Sequence, residues 1–204
     1  MQTISKTTKF DHESERIAIG LRLIGWLSFW LQLGLGIVSA LMLEFAIAGR
    51  NFNQAMTQDS EAGITNVSEA TASGVGVGIF WAICGILVLL FNIYLAFRYT
   101  RFGKRLRNPN PAMQPEQIMV LSVLRLSIIV GLFGMLMAII GTGSTLGILL
   151  AKSISQPQGV TVYDPIHAIR SLDILIAMAN MGGIAAHFTG TASSFGLFNW
   201  LHRQ

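Results

Sequence analysis

The sequence predicts an all-α protein, an integral membrane four-helix bundle with both termini cytoplasmic. Three observations predict it. Of the 204 residues, 52% are hydrophobic and only 12% are charged; soluble domains carry about a quarter charged residues. Four apolar runs reach the roughly 20 residues that a helix needs to cross a bilayer. The basic residues are distributed unevenly between the segments that join those runs.

The elements follow in chain order. Residues 1–22 form an N-terminal arm, in which Phe10–Arg22 is expected to be a short helix leading into the membrane. Asp11 is placed to cap it, and Glu13 and Glu15 suit the positive end of its dipole. The four-helix domain spans residues 23–204. Its apolar runs lie at about 23–48, 76–97, 126–151 and 172–197. They are continuous, where barrel strands would alternate polar and apolar residues. None contains proline. Residues 49–75 form a small, polar, slightly acidic loop. Pro109, Pro111 and Pro115 mark residues 105–118 as an extended connector.

Orientation follows from charge. The arm, the middle loop and the tail hold eleven basic residues, among them Lys6, Arg22, Arg98, Lys104, Arg125 and Arg203. The opposite side holds only Arg50, Lys152 and Arg170. The positive-inside rule then places the termini and the middle loop in the cytoplasm. Trp26, Tyr94, Tyr99 and Trp200 fall near the same helix ends, at the headgroup level that amphipathic rings favour. Ala46-Ile47-Ala48 has the form of a signal-peptidase site, but the apolar run before it is too long for a signal peptide. The first helix is therefore expected to be retained.

Some function classes are excluded. The net charge of +4 sits in a chain too apolar for nucleic acid, and basic residues here set topology. The single cysteine, Cys84, rules out an internal disulfide framework. Zincin, nucleophile-elbow and phosphate-loop patterns are absent. No enzyme activity, catalytic residue or cofactor is expected, and no metal-ligand spacing assigns a metal.

The fourth run carries the most information. Asp173, Asn180, His187 and Ser194 recur every seven residues, which places them on one helix face with Thr191. Polar groups are costly in hydrocarbon, so this stripe should face other helices or water. At 1.5 Å per residue, His187 and Gln32 lie about 15 and 13 Å from the same boundary, and Asn180 is level with Thr142. Glu44 is close in depth to Asp173. His187, Asn180, Asp173, Gln32 and Glu44 are thus the substrate-pathway candidates, with Glu44 and Asp173 as an acidic entrance suited to a cation. Interhelical hydrogen bonding by Asn180, Ser194 and His187, capping by Asp173, and a solvated helix end at Glu44 are the structural alternatives. Gly131, Gly134, Gly143 and Gly147 are expected to serve helix packing in the third span, the last two as a small-xxx-small pair.

Several segments carry a family resemblance: Arg22-Leu23-Ile24-Gly25-Trp26 through Trp30-Leu31-Gln32-Leu33, the basic run Arg98–Arg107, the glycine-rich third span, and Leu172-Asp173 through Ala186-His187-Phe188. They resemble the chloroplast inner-envelope translocon subunit, also described as a chloroplast iron permease, and its cyanobacterial relatives. The similarity extends over roughly residues 12–201. It implies a four-helix inner-membrane protein whose role is either protein import or iron permeation. The long Ser- and Arg-rich transit peptide of the plant members is missing here, as expected of a cyanobacterial or organellar chain.

The combined reading is a permease-like membrane protein that moves a metal cation, iron by the resemblance. The alternative is a non-catalytic accessory subunit of a translocon or photosynthetic assembly. Expected locations are the plasma or thylakoid membrane of a cyanobacterium, or the chloroplast inner envelope. The expected partners are the lipid bilayer and further copies or a larger membrane complex, because four helices alone make a small pore wall.

Overall fold

The structure, a computed structural model, describes residues 2–58, 68–106, 117–155 and 171–203, with side chains over 15–52, 76–106, 118–154 and 171–203. The described chain is helical: α1 Gln2–Gln58, α2 Ser68–Leu106, α3 Gln117–Ser155 and α4 Ser171–His202. Each contains a stretch long and apolar enough to cross a membrane: Glu15–Phe52, Gly76–Leu106, Ile118–Ile154 and Ser171–His202.

The helices overrun the apolar runs. α1 passes without a break from the arm into the first span, so Asp11 lies inside a helix and does not cap one. Helix also covers both flanks of the expected 49–75 loop, up to Gln58 and from Ser68. The proline-bearing connector lies outside the described residues. Ala46, in the cleavage-like triplet, is buried against Ile176 in mid-helix.

The described residues fall into two compact units, each using parts of all four helices. Unit 1 comprises Met1–Gly34, Val88–Phe133 and Ala186–Gln204. Its core joins Leu21 of α1, Leu95 and Tyr99 of α2, Val120 and Leu124 of α3, and Leu197 and Leu201 of α4. Tyr99 is wholly buried there, so it is a core residue and not part of an interfacial belt. Unit 2 comprises Leu35–Leu87 and Gly134–Ala185. Its apolar cores are small: Leu43, Ala82 and Ala179, and Ala46 with Ile176.

Burial runs opposite to that of a soluble protein. Phe45 and Phe188 are 67% and 62% exposed, while Gln32, Asn92, Asn180 and His187 are 2% exposed or less. Large apolar side chains pointing outward and polar ones inward match a hydrocarbon surround. The chain is a membrane protein with its outer face against lipid.

Close packing explains which glycines matter. A methyl group on Gly141 would overlap the Asn180 amide and come within 2.9 Å of Trp81 Cβ. One on Gly131 would overlap the Thr191 hydroxyl. Gly134 is buried. Gly143 and Gly147 are exposed, and among the described residues nothing lies within 4 Å of a methyl group placed on either. Periodicity placed small residues one turn apart; it could not say which side of α3 faces inward. Gly141→Ala should therefore lower stability by about 1–3 kcal/mol through overpacking. Gly147→Ala should leave it unchanged or raise it by up to about 1 kcal/mol through helix propensity. Denaturant titration of the two variants in one detergent checks this; equal losses would contradict it.

Candidate functional site

The stripe on α4 is buried along its length, with Asp173 at 5%, Asn180 at 2%, and His187 and Ser194 at 0% exposure. This is the inward face expected from the seven-residue spacing. Its members divide between the two units.

In unit 1 the stripe meets polar residues of the other three helices. Ser194 Oγ donates to Ser127 Oγ of α3 at 2.9 Å, and Ser127 Oγ donates to Asn92 Oδ1 of α2 at 2.6 Å. On α1, Gln32 Nε2 donates to Ser28 Oγ at 2.9 Å. The Tyr99 hydroxyl lies near Ser28 and Ser194 but meets hydrogen-bond geometry with neither. Two bare Cα positions let the remaining groups converge. A methyl on Gly190 would lie 2.6 Å from Gln32 Oε1 and 2.8 Å from Asn92 Nδ2. A methyl on Gly131 would lie 3.1 Å from the same Asn92 nitrogen and overlap Thr191 Oγ1.

Gln32 Oε1, Asn92 Nδ2 and Thr191 Oγ1 are therefore gathered around one α4 turn, just beyond His187. Among the described residues none of the three has a hydrogen-bond partner. A buried polar group left unsatisfied costs about 1–3 kcal/mol, so groups in this position call for a polar occupant. The set holds no carboxylate or thiol: it consists of amides, hydroxyls and one imidazole. Among the described residues no group of three or more His, Cys, Asp or Glu side chains could hold a metal ion. As placed, the cluster presents two oxygens, Gln32 Oε1 and Thr191 Oγ1, and the N–H donors of the Asn92 amide.

In unit 2 the expectations are revised. Asp173 is in the first turn of α4, and Lys152 in the last turn of α3. They form a buried ion pair, Lys152 Nζ to Asp173 Oδ2 at 2.6 Å. Glu44 is exposed. There is accordingly no acidic entrance built from Glu44 and Asp173: depth along two helices brought the carboxylates level, but their facing separates their roles. The Asn180 amide donates to Gly78 O at 3.3 Å and Ile176 O at 3.1 Å. Thr142, expected beside it, donates to Ala138 O of its own helix at 2.9 Å. Gly182 packs against Ser39.

Asn92 was missed by reading for periodicity because it is a lone amide in its run, and Ser28 and Ser127 were passed over as small residues, although Ser28 stands one turn from Gln32. The signal was available in cost: an amide within Leu89-Leu90-Phe91-Asn92-Ile93 needs an inward partner. The Lys152–Asp173 pair was legible only as two charges near helix ends.

The chain is 30% identical over 204 residues to Protein TIC 21, chloroplastic, of Arabidopsis thaliana, covering 95% of this chain and 60% of the relative. It thus spans about three fifths of that protein's length. No solved structure matches. A family model described as "Protein of unknown function (DUF3611)" matches residues 11–202. With nearly its whole length matched and TIC 21 as a relative, the chain belongs to the DUF3611 family.

Proposed function

We propose that this chain is a permease-like, non-enzymatic membrane protein that passes a metal cation, iron among its substrates. The observation that carries the reading is the convergence of Gln32 Oε1, Asn92 Nδ2 and Thr191 Oγ1, buried and unsatisfied, beside His187. Groups of this kind are retained in membranes at a cost and mark ion pathways. Conduction needs sites that bind well enough to admit an ion and weakly enough to release it. A set of amides and hydroxyls with one imidazole and no carboxylate meets that condition. Asn92 is amide-flippable: with its oxygen turned to the cluster, its nitrogen would donate to Ser127 Oγ in place of the present bond, and the set would offer three oxygens and a nitrogen.

The kinship with a chloroplast protein supports a location in the chloroplast inner envelope, or in the plasma or thylakoid membrane of a cyanobacterium. The basic asymmetry supports cytoplasmic or stromal termini. Cysteines introduced at Ser68 and Asn108 test that orientation. An impermeant thiol reagent should label the first from outside intact cells and not the second; labelling at position 108 would reverse the topology.

A second reading, an accessory subunit of a larger membrane complex, is favoured by one observation. Gly143, Gly147 and Ala151 form an exposed small-residue stripe on α3, the kind of surface that admits another helix. Uptake of radiolabelled iron or manganese into vesicles holding this chain as their sole protein separates the readings. The permease reading expects uptake above that of protein-free vesicles. No uptake by correctly oriented protein would transfer the assignment to the accessory role.

A further inference from the structure

We infer that unit 1 carries a binding site for one anionic phospholipid, between the arm end of α1 and the C-terminal end of α2. A cavity of about 810 Å³ lies there, within the ~300–1,000 Å³ of small-molecule sites. Its wall is assembled by close approach of the two helices. Gly103 of α2 sits so near α1 that a methyl on it would lie 2.9 Å from Ala18 O, and one on Gly25 would lie 2.7 Å from Thr100 Cγ2.

The lining has the polarity of an amphiphile. Arg22 of α1 and Arg101 and Lys104 of α2 supply three cations, and among the described residues no acidic one lines the cavity. The sequence positions of the approach pair the Ala18–Arg22 turn with Gly103, and Gly25 with Thr100. Arg22 and Lys104 therefore mark one end, and Trp30 and Phe97 the deeper one. Arg101 bridges the two, its guanidinium 5.3 Å from the centre of the Phe97 ring. The deep end is walled by Leu27, Trp26 and Trp30, the two tryptophans packed edge to face at 5.8 Å.

This gradient selects its occupant. Three cations with no ion pair among the described residues call for an anion, and lie where basic pockets between membrane helices hold lipid phosphates. The aromatic and aliphatic wall beyond them suits an acyl chain and gives a free phosphate nothing. A zwitterionic headgroup would place its own cation among the three. The site therefore takes a phospholipid of net negative charge, phosphatidylglycerol being the simplest probe. It belongs to unit 1 alone and stands whether or not the chain moves ions.

The test uses the purified 204-residue chain in detergent, with Trp81→Phe and Trp200→Phe so that Trp26 and Trp30 report. Phosphatidylglycerol and phosphatidylcholine with the same brominated acyl chains are titrated separately, and tryptophan quenching is read. Phosphatidylglycerol should bind more tightly, by about five-fold per basic residue and on the order of a hundred-fold for three. Arg22→Gln, Arg101→Gln and Lys104→Gln combined should bring it to the phosphatidylcholine level. Arg98→Gln with Arg105→Gln, charge losses outside the cavity, should leave the preference in place. Excess inorganic phosphate should not displace the lipid. Far-ultraviolet circular dichroism confirms that each variant is helical. Equal affinity for the two lipids, equal loss in the control variant, or displacement by phosphate would overturn the assignment.

Discussion

Replacing Lys152 with methionine should destabilise the protein by about 3–5 kcal/mol, the usual consequence of stripping a buried carboxylate of its partner. The pair is nearly enclosed, with side-chain exposures of 9% and 7%, and its 2.6 Å separation leaves no room for solvent between the charges. Both residues also sit where helix dipoles favour them, the lysine in the last turn of α3 and the aspartate in the first turn of α4. Methionine keeps the apolar stem of lysine but abandons Asp173 in a setting that cannot solvate it. Adding Asp173→Leu to Lys152→Met should recover most of the loss, because a buried ion pair replaced by apolar side chains is often neutral or better. Denaturant titration of the single and double variants in detergent measures both terms. A single variant as stable as the wild type would show that the pair is hydrated and contributes little.

The second large effect is expected on transport and not on folding. Glutamine has a hydrogen-bond donor and a bulk similar to histidine, so His187→Gln keeps the packing of a wholly buried position. Measured interhelical hydrogen bonds in membranes average only about 0.6 kcal/mol, so the loss of one leaves the helices assembled. What disappears is the imidazole, the group in the cluster that can both bind a metal and carry a proton. Cation passage should fall to background while the unfolding midpoint barely moves. A purely structural histidine would give the reverse: intact passage, with any change confined to stability.

Much of the fold could be read from the chain because bilayer thickness imposes a length. Runs of about 20 apolar residues have few alternatives to a spanning helix, and the four runs became four helices. The seven-residue stripe on α4 was equally legible, since 3.6 residues per turn fixes which residues share a face. The limits were set by rotation and partner. No single-helix pattern says that Gly141 faces inward and Gly147 outward, because α3 is apolar nearly all round. Depth alone put Glu44 beside Asp173, whereas the aspartate's partner came from the adjoining helix end in Lys152. Asn92 and Ser127 complete a network whose other end, Ser194, was visible, but a lone amide has no period to betray it.

Passage of a metal cation through the buried cluster around His187 is tested most directly by paired uptake measurements. Wild type and His187→Gln are reconstituted separately at matched protein density, and entry of radiolabelled iron or manganese is followed over time against protein-free vesicles. The wild type should show saturable uptake, and the variant a rate indistinguishable from that of protein-free vesicles. Equal, protein-dependent uptake by both would contradict a conducting role for the cluster's histidine.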